Sequence, residues 1–190
     1  MDAFLYSTAI VALAEMGDKT QLLSFVLAGR FRKPVPIALG ILVATLANHF
    51  LAGAFGAWLA SLASPQALAW LVAAAFFGFG LWVLVPDELE ENPKLPAAGV
   101  FLTTVVVFFM AEMGDKTQLA TIALAARYEA LVAVVLGTTL GMMIANVPAV
   151  WLGERFARRV NMKVLRWVAA SLFGLLGGLT LLEAWRSGVL

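Results

Sequence analysis

Residues Glu15 to Leu22 read Glu-Met-Gly-Asp-Lys-Thr-Gln-Leu, and Glu112 to Leu119 repeat the same eight residues 97 positions later. Each copy brings two carboxylates, an ammonium, a hydroxyl and an amide into one short stretch. Carboxylate, amide and hydroxyl oxygens suit hard divalent cations such as Mg2+, Ca2+ and Mn2+. The candidate cation ligands are Glu15, Asp18, Glu112 and Asp115. Lys19, Lys116, Gln21, Gln118, Thr20 and Thr117 stand beside them, and Asn48 and Asn146 form a further near-repeat 98 positions apart. With no cysteine in the chain, thiolate catalysis, disulfides and zinc-thiolate cages are excluded. The net charge of +1 gives no support to a nucleic-acid partner.

Both motifs lie inside long apolar runs. The 190 residues are 62% hydrophobic and only 13% charged, with a mean hydropathy of +0.92. Soluble domains carry about 25% charged residues, so this is the composition of an integral membrane protein. No Lys or Arg precedes Lys19, whereas a secretory signal needs a basic start. The first span is therefore expected to be retained.

Hydropathy predicts six spans, at 3–29, 35–62, 67–85, 97–126, 131–152 and 164–185, each near or above the roughly 20 residues that cross a bilayer as a helix. Arg30, Arg32 and Lys33 lie between the first two spans. Lys94 lies in the loop 87–96, and Arg155, Arg158, Arg159 and Lys163 lie between the last two. Basic loops stay in the cytoplasm, which places both termini outside it and the protein in the plasma (inner) membrane.

The repeat extends beyond the motifs. Leu39-Gly40 returns as Leu136-Gly137 at the offset of 97, and Phe77-Gly78 as Phe173-Gly174 at 96. The chain is thus one transmembrane domain, 1–190, with repeat one at 1–86, a cytoplasmic loop at 87–96 and repeat two at 97–190. Three spans per half force the second half to enter the membrane inverted. The predicted fold is all-α: six transmembrane helices as two inverted three-helix repeats. Transporters of that architecture hold their site at the repeat interface near the midplane.

As one helix, Glu15, Asp18, Lys19 and Leu22 fall at i, i+3, i+4 and i+7 and share a face, as do Glu112, Asp115, Lys116 and Leu119. A charge at the bilayer centre costs about 2.5–3.5 kcal/mol, so six cost roughly 15–20 kcal/mol if left unpaired. A purely structural reading would pair Glu15 with Lys19 and Glu112 with Lys116 at i, i+4, but the charges then do not balance. Such pairs leave Asp18 and Asp115 uncompensated, a surplus that suits one divalent cation or two protons. Gly17 and Gly114 either unwind the helices or permit a close crossing. Met16 and Met113 are assigned to packing, the lone His49 to a local hydrogen bond, and the tryptophans to anchoring.

The doubled Glu-x-Gly-Asp-Lys-Thr, on the first span of each half, resembles the Gdt-type cation/proton exchanger family, with Golgi, chloroplast and bacterial members. The resemblance covers the whole chain. It implies export of Mn2+, or Ca2+, in exchange for protons, with the four motif acids binding the cation. It implies no prosthetic group and no enzymatic activity, and it is compatible with a homo-oligomer in the bilayer. The rival readings are a small amino-acid exporter, whose zwitterion the Lys and Glu groups would hold, and a divalent-cation uniporter or channel. An intramembrane aspartyl protease is disfavoured, because Glu15 stands where its motif requires glycine.

Overall fold

The computed structural model describes residues 1–85, 98–152 and 162–189, and these form eight α-helices and no strand. In chain order they are α1 (Asp2–Glu15), α2 (Lys19–Phe31), α3 (Pro34–Leu62), α4 (Pro65–Trp82), α5 (Val100–Glu112), α6 (Lys116–Tyr128), α7 (Leu131–Leu152) and α8 (Met162–Arg186). The loop 87–96 and the basic residues Arg155, Arg158 and Arg159 lie outside the described residues.

Prolines and turn residues set the boundaries. Pro34 and Pro65 open α3 and α4, where a missing N–H is harmless. The Ser64 hydroxyl accepts the Ala67 N–H at 3.2 Å. Arg32 (φ 52°) and Glu129 (φ 48°) close α2 and α6 in the left-handed conformation. These two unusual positions are themselves 97 residues apart.

Four helices are long and apolar enough to cross a membrane: α3, α4, α7 and α8. The spans predicted at 3–29 and 97–126 are not continuous helices. Each is broken in two, α1 from α2 and α5 from α6, at Met16–Asp18 and Met113–Asp115. Gly17 (φ 81°) and Gly114 (φ 75°) supply the turn, in a conformation that disfavours any side chain. Each piece of 13 or 14 residues is about 20 Å long, short of the ~30 Å hydrocarbon core.

The surface is apolar and much of the interior is polar. On α3, Leu39, Phe50, Leu51, Phe55 and Trp58 face outward at 49–57% exposure, while Thr45, Asn48 and His49 are fully buried. This pattern fits hydrocarbon rather than water as the surroundings. In such surroundings close packing replaces the hydrophobic effect, and small residues allow it. A Cβ at Gly137 of α7 would lie 2.5 Å from the Phe4 carbonyl oxygen of α1, and one at Gly40 of α3 would lie 2.6 Å from Thr104 of α5. Each broken helix therefore packs on the middle helix of the other half. Helices α4 and α8 pair through Phe76 and Phe173, with ring centroids 6.3 Å apart. The two hinge regions are brought together at the centre of this arrangement.

Candidate metal centre

Glu15 is the last residue of α1 and Glu112 the last of α5, while Asp18 and Asp115 are the N-caps of α2 and α6. The Asp18 N–H donates to the Glu15 carbonyl at 3.0 Å, and the Asp115 N–H to the Glu112 carbonyl at 3.1 Å. The amide oxygens of Gln21 and Gln118 accept the N–H of Gly17 (2.9 Å) and Gly114 (2.7 Å), fixing each turn. Neither aspartate uses its side chain to cap its own helix. Both carboxylates are thereby left to reach across the repeat. Two helix N-termini, with their partial positive charge, and two C-termini with the opposite sign meet at the same place.

The ion pairs cross between halves. Lys19 Nζ lies 2.8 Å from Asp115 Oδ1, and Lys116 Nζ lies 2.5 Å from Asp18 Oδ1. The i, i+4 pairs of a purely structural reading, Glu15 with Lys19 and Glu112 with Lys116, are therefore not formed. The break resets the helical phase between Glu15 and Lys19, so the single shared face does not exist; Leu22 points outward at 38% exposure. The surplus acids are consequently the glutamates and not the aspartates.

Glu15 and Glu112 are wholly buried, and among the described residues neither forms an ion pair. Carboxylate oxygens of Glu15, Glu112 and Asp115 lie within 4.8 Å of one another; Asp18 is outside this group of three. Two ionised carboxylates at that spacing repel by about 3 kcal/mol at an effective dielectric constant of 20. A divalent cation between them turns the repulsion into attraction, and protons remove it.

Around the acids, Glu112 Oε2 accepts the Thr117 hydroxyl at 2.8 Å, and Thr20 faces the same carboxyl from the other half. Asn146 Nδ2 donates to Glu15 Oε1 at 3.4 Å, while Asn146 Oδ1 accepts the Ser24 hydroxyl at 3.0 Å. Gln21 Nε2 donates to the Ala145 carbonyl at 2.9 Å. Glu15 Oε2 and Glu112 Oε1 have no hydrogen-bond partner among the described residues, nor have the side-chain polar atoms of Asn48 and His49. The hydrogen bond expected of His49 is therefore not made. Met113 is 53% exposed and Met16 half-buried, so neither thioether belongs to the buried cluster.

Two groups were missing from the sequence reading. Ser24 lies three residues after Gln21, on the buried face of α2, and that spacing could have revealed it. Met142, whose sulfur lies 3.2 Å from Asn146 Nδ2, sits one turn before Asn146 among many apolar residues and carries no such signal.

Comparison with known proteins identifies the family. The family model "Divalent cation/proton antiporter GDT1" matches the chain twice, at residues 3–91 and 100–188, which is the 97-residue offset of the motifs. The chain is 47% identical to a Vibrio cholerae protein named "Putative manganese exporter", over 91% of this chain and 87% of that one. It is 30% identical to GDT1-like protein 4 of Oryza sativa subsp. indica, over 90% of this chain and 70% of the relative. With GDT1-like protein sll0615 of Synechocystis it shares 28% identity over 91% and 93%. No solved structure matches it.

Proposed function

Because the chain belongs to the GDT1 family of divalent cation/proton antiporters, we propose that it exports Mn2+ from the cytoplasm in exchange for protons. Ca2+ is the alternative cargo. One observation carries this reading: three buried carboxylates lie within 4.8 Å of one another at the junction of two broken helices, and among the described residues the two glutamates form no ion pair. The name of the Vibrio relative supports manganese as cargo. The amino-acid exporter reading has less support, because both motif lysines are engaged by aspartates of the other half.

In the proposed architecture, α1–α2 and α5–α6 each cross the membrane once as a broken helix. With α3, α4, α7 and α8 they make six crossings in two inverted repeats, with both termini outside the cytoplasm. The cation enters from the cytoplasm and displaces protons from Glu15 and Glu112. Asp115 and Asp18 complete the acidic set, and Lys19 and Lys116 hold them when the site carries no cation. One half then rocks against the other and opens the site outward. There protons compete for the same oxygens, release the metal and return with the carrier.

The test is substitution of the acids that keeps their shape. Asp18→Asn with Asp115→Asn should insert normally yet fail to protect manganese-stressed cells that depend on this protein. A well-expressed double variant that still protects them would remove the site assignment.

A further inference from the structure

Asn146 of α7 is fully buried and touches the chain on both sides of the first hinge. Its Nδ2 donates to Glu15 Oε1, at the end of α1, over 3.4 Å, and its Oδ1 accepts the Ser24 hydroxyl of α2 at 3.0 Å. The carbonyl of the preceding residue, Ala145, accepts Gln21 Nε2 at 2.9 Å, and the Gln21 amide oxygen accepts the Gly17 N–H of the hinge itself. Glu15, Gln21 and Ser24 belong to repeat one and Asn146 to repeat two. A single turn of α7 therefore holds α1, the hinge and α2 from the other half.

The neighbours of the amide decide which way round it sits. Asn146 Nδ2 also faces the Met142 carbonyl oxygen and the Met142 sulfur, each at 3.2 Å. An amide nitrogen carries two donors and an amide oxygen none. Turned over, the amide would set its oxygen against the Met142 carbonyl, which has no hydrogen to give, and against the Glu15 carboxylate. An asparagine that binds a hard cation does so through its amide oxygen. Here the oxygen is the atom engaged by Ser24, and the nitrogen is the atom beside Glu15. Glu112 differs: its bond comes from Thr117 of its own motif. Glu15 Oε2 has no hydrogen-bond partner among the described residues.

We propose that Asn146 is a positioning residue for the transported cation: its amide nitrogen holds Glu15 Oε1 and leaves Oε2 to the metal, and Ser24 keeps the amide in that orientation. The inference rests on the proposed function, in that Glu15 must bind the cation. The contact with Glu15 is the longest of the set, so Ser24 and the Met142 carbonyl fix the amide, and the amide guides the carboxylate. Groups that orient a metal's ligands change its affinity by about 10–100-fold when removed, without touching the metal.

The test measures Mn2+ binding to the detergent-solubilised protein, with free Mn2+ followed by its electron paramagnetic resonance signal, and Mn2+ transport in proteoliposomes. The variant N146A should bind Mn2+ about tenfold more weakly and raise KM by a similar factor, with kcat lowered less than about threefold. Loss of folded protein lowers the number of binding sites and not the affinity of each, so a merely structural role leaves these values where they were. S24A removes only a hydroxyl and should weaken binding about threefold in the parent, yet change nothing in N146A, because Ser24 acts through Asn146. If S24A binds Mn2+ as tightly as the parent or more so, the inference is overturned; tighter binding would make the freed amide oxygen a ligand. An N146A protein with the parent's affinity, or effects of S24A and N146A that multiply, also overturns it. Each of these results leaves the proposed function standing. A parent protein that binds no Mn2+ overturns the proposed function, and the inference with it. S24A decides the question alone if N146A does not fold.

Discussion

Replacing Lys116 by Met tests whether the crossed ion pairs hold the two halves together. The Lys116 side chain is 5% exposed and Asp18, its partner at 2.5 Å, is 1% exposed. Met fills much of the space but leaves the Asp18 carboxylate buried without its ammonium. Breaking a buried pair from one side costs about 3–5 kcal/mol, which lowers the melting midpoint of a chain this size on the order of 10 °C. Adding Asp18→Asn removes the stranded charge, so the double variant should recover at least about 2 kcal/mol relative to Lys116→Met alone. Lys19→Met should cost less than half as much as Lys116→Met, since Lys19 is 27% exposed and water can reach the Asp115 left behind. The six tryptophans report unfolding of the detergent-solubilised protein directly. If Lys116→Met and Asp18→Asn instead add, with the double variant less stable than either single one, the pair contributes nothing and the crossed arrangement is not what joins the halves.

The hinge gives a second stability test. A Cβ at Gly114 meets nothing within 4 Å, yet φ is +75°, so Gly114→Ala should cost about 1–2 kcal/mol from the backbone alone and Gly114→Asn less, read as melting midpoints; an Ala variant as stable as the parent would contradict the broken helix. The topology is tested by single cysteines in a chain that has none. Cysteine at Ser64 or Ser187 should react with an impermeant reagent from outside and cysteine at Lys94 or Asn161 should not; the reverse pattern inverts the proposed orientation and with it the direction of transport.

Membrane character, helical class and family were legible because they depend on composition, on apolar run length and on the doubled motif. The site chemistry was legible in residue type: Glu15, Glu112 and Asp115 stand out as acids in apolar surroundings, and the structure brings their oxygens together. Their pairing was not. Lys19 belongs to Asp115 because two broken helices meet end to end, and that depends on how the halves cross, which no local spacing encodes. Gly17 and Gly114 allowed either a close crossing or a break; only the positive φ values distinguish the two. The positional match of His49 with Asn146, 97 residues apart and both fully buried, was hidden because unlike residues show no identity, while Asn48 one position earlier does.

Exchange itself is the claim to which everything else is attached, and it is measured in proteoliposomes holding a trapped pH dye. Metal binding to carboxylates releases protons, so Mn2+ added outside should enter while protons leave in step. An imposed proton gradient should drive Mn2+ uphill, and Asp115→Asn should reduce both fluxes together. Lowering the pH on the loading side should weaken Mn2+ uptake, because protons occupy the same oxygens. Mn2+ that crosses with no proton movement, at a rate indifferent to pH, would contradict the account and make the protein a uniporter or channel.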